Sequence, residues 1–265
     1  MPYIDVNNAR LQYLEQGSGA DKFIFGHGTM ISSNIWKDFY FPYLPEKWHT
    51  LAPDFRGHGA SNGVKSGCNF VQMADDIAEI IRLKNLGKVI YIGLSMGGGV
   101  GLQLALRHPE LLKGLVLIST VTGLGPLGNV AFIKLGRYTA GQRWLLRIGM
   151  RSASTHKPTP EALEKVVDEA MQVSSATLAE YLSSTNKIEG FERLKDLRLP
   201  ILLLVGLKDN VIPVKQQLLL GETIPGCKVI TDADHGHALC AEKPEWVLDK
   251  IREFVVEIDN WHILH

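Results

Sequence analysis

Val89-Ile90-Tyr91-Ile92-Gly93-Leu94-Ser95-Met96-Gly97-Gly98 is the stretch on which the fold turns. Its first four residues form an apolar run that suits a buried strand. The residues from Gly98 to His108 are compatible with a helix. Between them lies a Gly-x-Ser-x-Gly pattern centred on Ser95. A strand, a sharp turn at serine and a helix together make the context in which this pattern works as a nucleophile elbow. The turn is tight, so its flanking positions must be small. Gly93 and Gly97 leave room for a strained backbone and hold the hydroxyl out of the turn.

A serine hydroxyl is a poor nucleophile until a base takes its proton. The base is usually a histidine, itself oriented by a carboxylate. On an elbow of this kind the chain order is Ser, then Asp or Glu, then His. Downstream of Ser95, the apolar run Ile201-Leu202-Leu203-Leu204-Val205 reads as a buried parallel strand. It runs into Gly206-Leu207-Lys208-Asp209-Asn210, which sets Asp209 just past a strand's carboxyl end. A short strand over Cys227 to Thr231 then leads into Asp232-Ala233-Asp234-His235-Gly236-His237, offering two histidines. A final helix is expected from about Lys243 to Ile258.

The rest of the chain alternates in the same way. A first strand pair, Tyr3–Val6 and Leu11–Glu15, is joined by the turn signal Asn7-Asn8. Strands are expected at Lys22–Phe25, Thr50–Pro53, Val89–Ile92 and Leu115–Ile118. Helices are expected over Ser33–Tyr43, Asn69–Leu86 and Met96–His108. This alternation predicts an α/β fold with a mostly parallel sheet covered on both faces. Such sheets bind ligands at the carboxyl ends of their strands. His27, Asp54, Ser95, Asp209 and His237 all fall at such ends.

Six short pieces, in order, resemble the α/β-hydrolase superfamily over nearly the whole chain. They are His27-Gly28 with Trp36 downstream; Asp54-Phe55-Arg56-Gly57-His58-Gly59-Ala60-Ser61; the Ser95 elbow; Gly206-Leu207-Lys208-Asp209; Val211-Ile212-Pro213; and Gly236-His237 followed by Glu242-Lys243-Pro244. The resemblance implies an eight-stranded, mostly parallel sheet with an inserted helical cap. It assigns residues 1–120 and 195–265 to the core domain and 121–194 to the cap. It also implies a catalytic triad of Ser95, Asp209 and His237, because the spacing from Gly236-His237 to Glu242-Lys243-Pro244 follows the family pattern. Some members carry the acid after the strand that here ends near Ile118, but Ser119-Thr120-Val121-Thr122 has no carboxylate. The oxyanion hole falls to the backbone N–H groups of Met96 and Thr29. Gly28-Thr29-Met30 departs from the triple-glycine loop and from the His-Gly-Gly-Pro loop of proline iminopeptidases. His27 and the turn from Asp54 to Gly59 read as structural.

Within the superfamily the chain is similar to the small cofactor-free serine group: esterases, enol-lactonases, carbon–carbon bond hydrolases and perhydrolases. The expected activity is a serine hydrolase acting on a small-molecule ester or lactone through an acyl-enzyme. Carbon–carbon bond cleavage and perhydrolysis use the same triad and stay open, as does a non-catalytic ligand receptor on the same fold. Serine at the nucleophile position argues against dehalogenase and epoxide-hydrolase chemistry, which uses Asp there.

Composition narrows the classes further. Lys+Arg and Asp+Glu both number 28 in 265 residues, so formal net charge is zero and nothing favours a nucleic-acid partner. No apolar run approaches the roughly 20 residues a membrane span needs. Met1-Pro2-Tyr3-Ile4-Asp5 lacks a secretory pattern. Three widely spaced cysteines, Cys68, Cys227 and Cys240, fit a reducing, cytoplasmic setting rather than a disulfide framework. Cys240 reads as a small apolar residue near the pocket floor.

Two patterns carry weaker expectations. From Thr122 to Pro160 there are six Lys/Arg and no Asp or Glu, whereas Glu161 to Glu192 is mostly acidic. The two halves are expected to face each other or solvent. In the sharper alternative, Arg137, Arg143 or Arg147 binds a substrate carboxylate through a forked pair of hydrogen bonds. The segment from Asn260 to His265 reads as a tail. His262 and His265 make only a weak metal pair, and His235-Gly236-His237 lacks a third ligand. The glycines at 97, 98, 99 and 101 do not fit a dinucleotide fingerprint and are expected to let the helix approach the sheet.

Overall fold

The computed structural model describes residues 1–123, 138, 140–185 and 189–264, the last five by backbone alone. Eight strands form one sheet in the order β1-β2-β4-β3-β5-β6-β7-β8. They are β1 (Tyr3–Val6), β2 (Ala9–Gln16), β3 (Asp21–Gly26), β4 (Trp48–Pro53), β5 (Val89–Leu94), β6 (Leu112–Ile118), β7 (Ile201–Gly206) and β8 (Lys228–Asp232). β1 and β2 pair antiparallel, as do β2 and β4; every pairing from β4 onward is parallel. The expected α/β-hydrolase fold is therefore present, with each strand of the sequence reading found within a few residues.

Alternation along β5 fills both sides of the sheet. Val89 and Tyr91 pack with Phe70, Met73, Ile77, Val100 and Leu104. Those residues belong to α2 (Phe70–Leu83) and α3 (Met96–Arg107). Ile90 and Ile92 point the other way, onto Trp36, Val247 and Ile251. Trp36 lies on α1 (Asn34–Phe39), and the other two lie on α9 (Pro244–Leu264). The glycines of α3 do bring it close to the sheet. A β-carbon at Gly97 would lie 2.3 Å from the Gly26 carbonyl oxygen, and one at Gly101 would lie 2.8 Å from the Tyr91 ring.

The differences from the sequence reading have local causes. The helix expected over Ser33–Tyr43 stops at Phe39 and gives way to a 3-10 turn over Phe41–Tyr43. Pro42 has no N–H for an α-helical bond and disfavours helical angles in the residue before it. The helix expected over Asn69–Leu86 ends at Leu83; Asn69 is its N-cap, accepting from Gln72 N. The C-terminal stretch read as a tail continues α9 through Leu264, while the side chains of the weak histidine pair lie outside the described residues.

Between β6 and β7 the described residues include α4 (Arg143–Ala153), α5 (Pro160–Met171) and α6 (Ser175–Ser184). After β7 come α7 (Val214–Thr223), which the sequence reading did not assign, and α8 (Leu239–Glu242). Among the described residues no helix is long and apolar enough to cross a membrane.

Candidate active site

Ser95 sits between β5 and α3 with φ 51° and ψ −108°. A non-glycine residue there carries backbone strain of about 1–3 kcal/mol, which the surroundings must hold in place. They do so by main-chain bonds. Ser95 N donates to Ile118 O at 2.9 Å, and Ser95 O accepts from Gly98 N at 3.0 Å and Val121 N at 3.3 Å. Gly97 N donates to His27 O at 3.0 Å, tying the elbow to the loop after β3. Gly93 must lack a side chain, since a β-carbon there would meet the Gly97 carbonyl oxygen at 2.3 Å.

Three distant stretches then meet. His237 Nε2 lies 3.1 Å from Ser95 Oγ, and His237 Nδ1 lies 2.9 Å from Asp209 Oδ2. An ionised carboxylate only accepts, so Nδ1 carries the proton and Nε2 is left as an acceptor facing the serine hydroxyl. The Asp209 side chain is fully buried. Burial pushes its carboxyl up, but the His237 bond and the N–H groups of Ile212 and Val211 outweigh that and hold it below the usual value. Gln217 on α7 adds a donor to the same Oδ2 at 2.9 Å. This contact was not anticipated from the sequence, and nothing in the Val214–Thr223 pattern singles Gln217 out.

The rival histidine, His235, faces elsewhere: its Nδ1 lies 2.7 Å from Asp232 Oδ1. Met96 is the first residue of α3, where N–H groups lack an intrahelical acceptor and the helix dipole favours an anion. Thr29 follows Gly28, whose added β-carbon would be 3.6 Å from Ser95 Cβ, so its loop runs against Ser95. The Thr29 hydroxyl is buried with no hydrogen-bond partner among the described residues.

The supporting histidines are inward and neutral. His27 Nδ1 donates to Gly28 O at 2.7 Å while Nε2 accepts from Phe55 N at 3.0 Å. Burial lowers its pKa to about 4, and lowers that of His58 to about 3. Asp54 accepts from Ser33 N and Ala60 N, both at 2.8 Å, and so shapes the turn beneath the site. Cys240 is buried and its thiol is pushed up to about 12 by burial, away from any thiolate role.

The polarised helices pair with each other. Arg143 reaches Glu164 at 2.6 Å and Asp168 at 2.7 Å, and Arg147 reaches Glu164 at 2.7 Å. α4 is thereby joined to α5 by the charges that the sequence displays as a basic and an acidic half. Arg143 and Arg147 are thus engaged on α5, and Arg137 lies outside the described residues. A cavity of about 420 Å³ at the start of β7 is lined by Arg198, Pro200, Lys228, Phe254 and Glu257; no serine, cysteine or histidine lines it. Among the described residues no cluster of three His, Cys, Asp or Glu is placed to hold a metal.

Comparison with known proteins agrees with this architecture. The dihydrolipoyllysine-residue acetyltransferase component of the acetoin cleaving system from Cupriavidus necator is 26% identical over 91% of this chain, which spans 65% of that relative's length. The 3-oxoadipate enol-lactonase 2 of Acinetobacter baylyi is 23% identical, with 80% of each chain covered. The solved esterase from Exiguobacterium antarcticum superimposes with a TM-score of 0.86 at 20% identity, covering 96% of this chain and 98% of its own. A family model described as alpha/beta hydrolase fold matches residues 22–244, so the chain belongs to the α/β-hydrolase family.

Proposed function

We propose that this chain is a serine hydrolase that cleaves a carboxylic ester or lactone through an acyl-enzyme at Ser95. The observation that carries this reading is the unbroken line from Ser95 Oγ to His237 at 3.1 Å and from His237 to Asp209 at 2.9 Å. Ser95 Oγ attacks the substrate carbonyl carbon while His237 Nε2 takes its proton. Asp209, buried and ionised, steadies the imidazolium and keeps Nδ1 protonated. The tetrahedral oxygen then carries negative charge between the N–H groups of Met96 and Thr29. Collapse breaks the bond to the leaving oxygen, to which His237 returns the proton. Water, deprotonated by the same imidazole, attacks the acyl carbon and releases the acid and Ser95. For a lactone the leaving oxygen stays tethered to the acyl group.

The described residues within 121–194 serve in this reading as a cap over the site. Contacts with the strand-end loops support it: Asn210 Nδ2 donates to Ser152 O at 2.8 Å, and Ala238 N donates to Ala153 O at 3.2 Å. No step calls for a cofactor. The test is labelling with a fluorophosphonate and hydrolysis of p-nitrophenyl acetate and a lactone series. Labelling and turnover are expected for the native chain and are lost in Ser95→Ala. Equal labelling after Ser95→Ala, or none in the native protein, refutes the reading.

A further inference from the structure

His237 is carried by a loop, yet its imidazole must stay within a fraction of an ångström of its place over Ser95. One side of that loop is held by main-chain bonds: Leu207 N to Asp232 O at 2.8 Å and Lys208 N to His235 O at 3.0 Å. The other side converges on one carboxylate. Asp232, the last residue of β8, is 6% exposed. Its Oδ1 accepts from Asp234 N at 3.0 Å, His235 N at 3.0 Å and His235 Nδ1 at 2.7 Å. Its Oδ2 accepts from Lys243 Nζ at 2.5 Å. Lys243 immediately precedes α9, and its ammonium also lies 5.0 Å from the Trp246 ring centre. One buried group therefore binds the strand end, the turn and the far end of the loop, with His237 between its anchor points.

An aspartate that shapes a turn accepts from backbone N–H groups a residue or two further along the chain. Asp232 takes four donors from three residues, one of them eleven positions away. Burial opposes its charge, but Lys243, His235 and the turn amides outweigh that and keep it ionised far below the usual carboxylate range. His156, whose ring lies 4.9 Å from that of His235, and Glu242, which accepts from His156 N, flank the same knot from the α4–α5 connection and from α8.

We propose that Asp232, with Lys243 and His235, is a positioning residue that fixes the His237 imidazole over Ser95. This rests on the reading of His237 as the base. The experiment is p-nitrophenyl acetate kinetics and thermal melts for Asp232→Ala, Asp232→Asn and Lys243→Met, each alone and combined with His237→Ala. Asp232→Ala is expected to lower kcat on the order of 10²-fold with KM little changed, the size of effect that follows an ångström-scale misplacement. Asp232→Asn keeps an oxygen for the three Oδ1 donors and loses the ammonium pair, as Lys243→Met does. Both are expected to lower kcat only several-fold. In the His237→Ala background each loss vanishes, because a residue acting through His237 has nothing left to act on. An equal fold-loss in both backgrounds, or an unchanged kcat, overturns the proposal. If Asp232→Ala does not fold, the other two variants decide it by the same comparison. If His237→Ala alone leaves turnover intact, it is the functional reading that fails, and this inference falls with it.

Discussion

A β-carbon on Gly206 would lie 2.5 Å from the Gly236 carbonyl oxygen, so the strand end that carries Asp209 and the loop that carries His237 touch backbone to backbone. Neither surface is a flexible side chain that could turn aside. Gly206→Ala should therefore push the Asp209 and His237 loops apart, lowering kcat/KM about 10–10²-fold and reducing Tm. Gly28→Ala is the contrasting case. Its β-carbon would meet Ile31 Cδ1 at 3.4 Å and Ser95 Cβ at 3.6 Å, near ordinary contact distances. Its Tm should stay close to that of the parent. Parallel melts and ester kinetics check both; wild-type turnover in Gly206→Ala would show that the loops can separate without harm.

Asp209 Oδ2 serves two donors, His237 and Gln217, while Oδ1 accepts from Val211 N and Ile212 N, both at 2.9 Å. Asp209→Asn removes the charge and offers Nδ1 no reason to keep its proton. The expected loss in kcat is on the order of 10⁴-fold, with the fold intact. Gln217→Leu leaves the carboxylate charged but less firmly held, and about a tenfold fall in kcat at constant KM should follow. Steady-state kinetics on one activated ester separates the two. A Gln217→Leu enzyme with native kcat would make this bond dispensable.

The elbow was legible because it is local. A strand, a turn that admits only glycine at its flanks and a helix all lie within twenty residues around Ser95. Asp209 was legible for a similar reason, as the carboxylate just beyond a run of apolar residues. Choosing His237 over His235 needed family resemblance, since both lie in the same short loop and periodicity treats them alike. The supports were not legible. Gln217 reaches Asp209 from a helix that carries no strong pattern. Lys243 and Asp232 meet across a loop of unreadable path. The pairing of Arg143 and Arg147 with Glu164 was visible only as opposite charge in successive stretches. Such contacts depend on how loops close in three dimensions, which residue spacing does not encode.

Two buried histidines predict how stability responds to acid. Burial holds His27 at about 4 against its bond to the Gly28 carbonyl, and burial with the neighbouring His27 holds His58 at about 3 against its bond to the Arg56 carbonyl and the Asp54 charge. In the unfolded chain both titrate near 6.5. The unfolded state thus binds more protons below that pH, and the stability present above 6.5 declines as pH falls toward 4 and then 3. Most of this window lies above the carboxylate range, so urea unfolding at pH 7.5, 6.5, 5.5 and 5.0, with a His27→Gln variant as the control for the other histidines, follows it. The unfolding free energy should fall by about 1–3 kcal/mol per pH unit below 6. A flat profile from pH 7.5 to 5 would mean that these rings accept protons in the native state.

Glu169 on α5 ties the helices between β6 and β7 to the loop after β3, which carries Thr29. Its Oε2 accepts from Ser32 N at 2.9 Å and its Oε1 from Asn34 Nδ2 at 2.7 Å. Ser32 is three residues beyond Thr29, and between them Met30, at φ 63°, packs on the Leu146, Leu163, Val167 and Ala170 cluster of α4 and α5. The loop after β3 is thus held by Asp54 from the core and by Glu169 from the helices above. Glu169→Ala removes the second hold and leaves the Ser32 N–H without its acceptor. It should raise KM several-fold and lower kcat as the Thr29 N–H drifts from the developing oxyanion, a loss of up to about 10²–10³-fold if that donor is displaced entirely. Lys165→Met breaks a second link between the same layers, the Lys165–Asp38 pair. That pair is largely exposed, and such pairs contribute about 0–1 kcal/mol. Kinetics should therefore separate the two links, with Lys165→Met near native and Glu169→Ala impaired. Equal behaviour of the two variants would place the Thr29 loop under the control of the core alone.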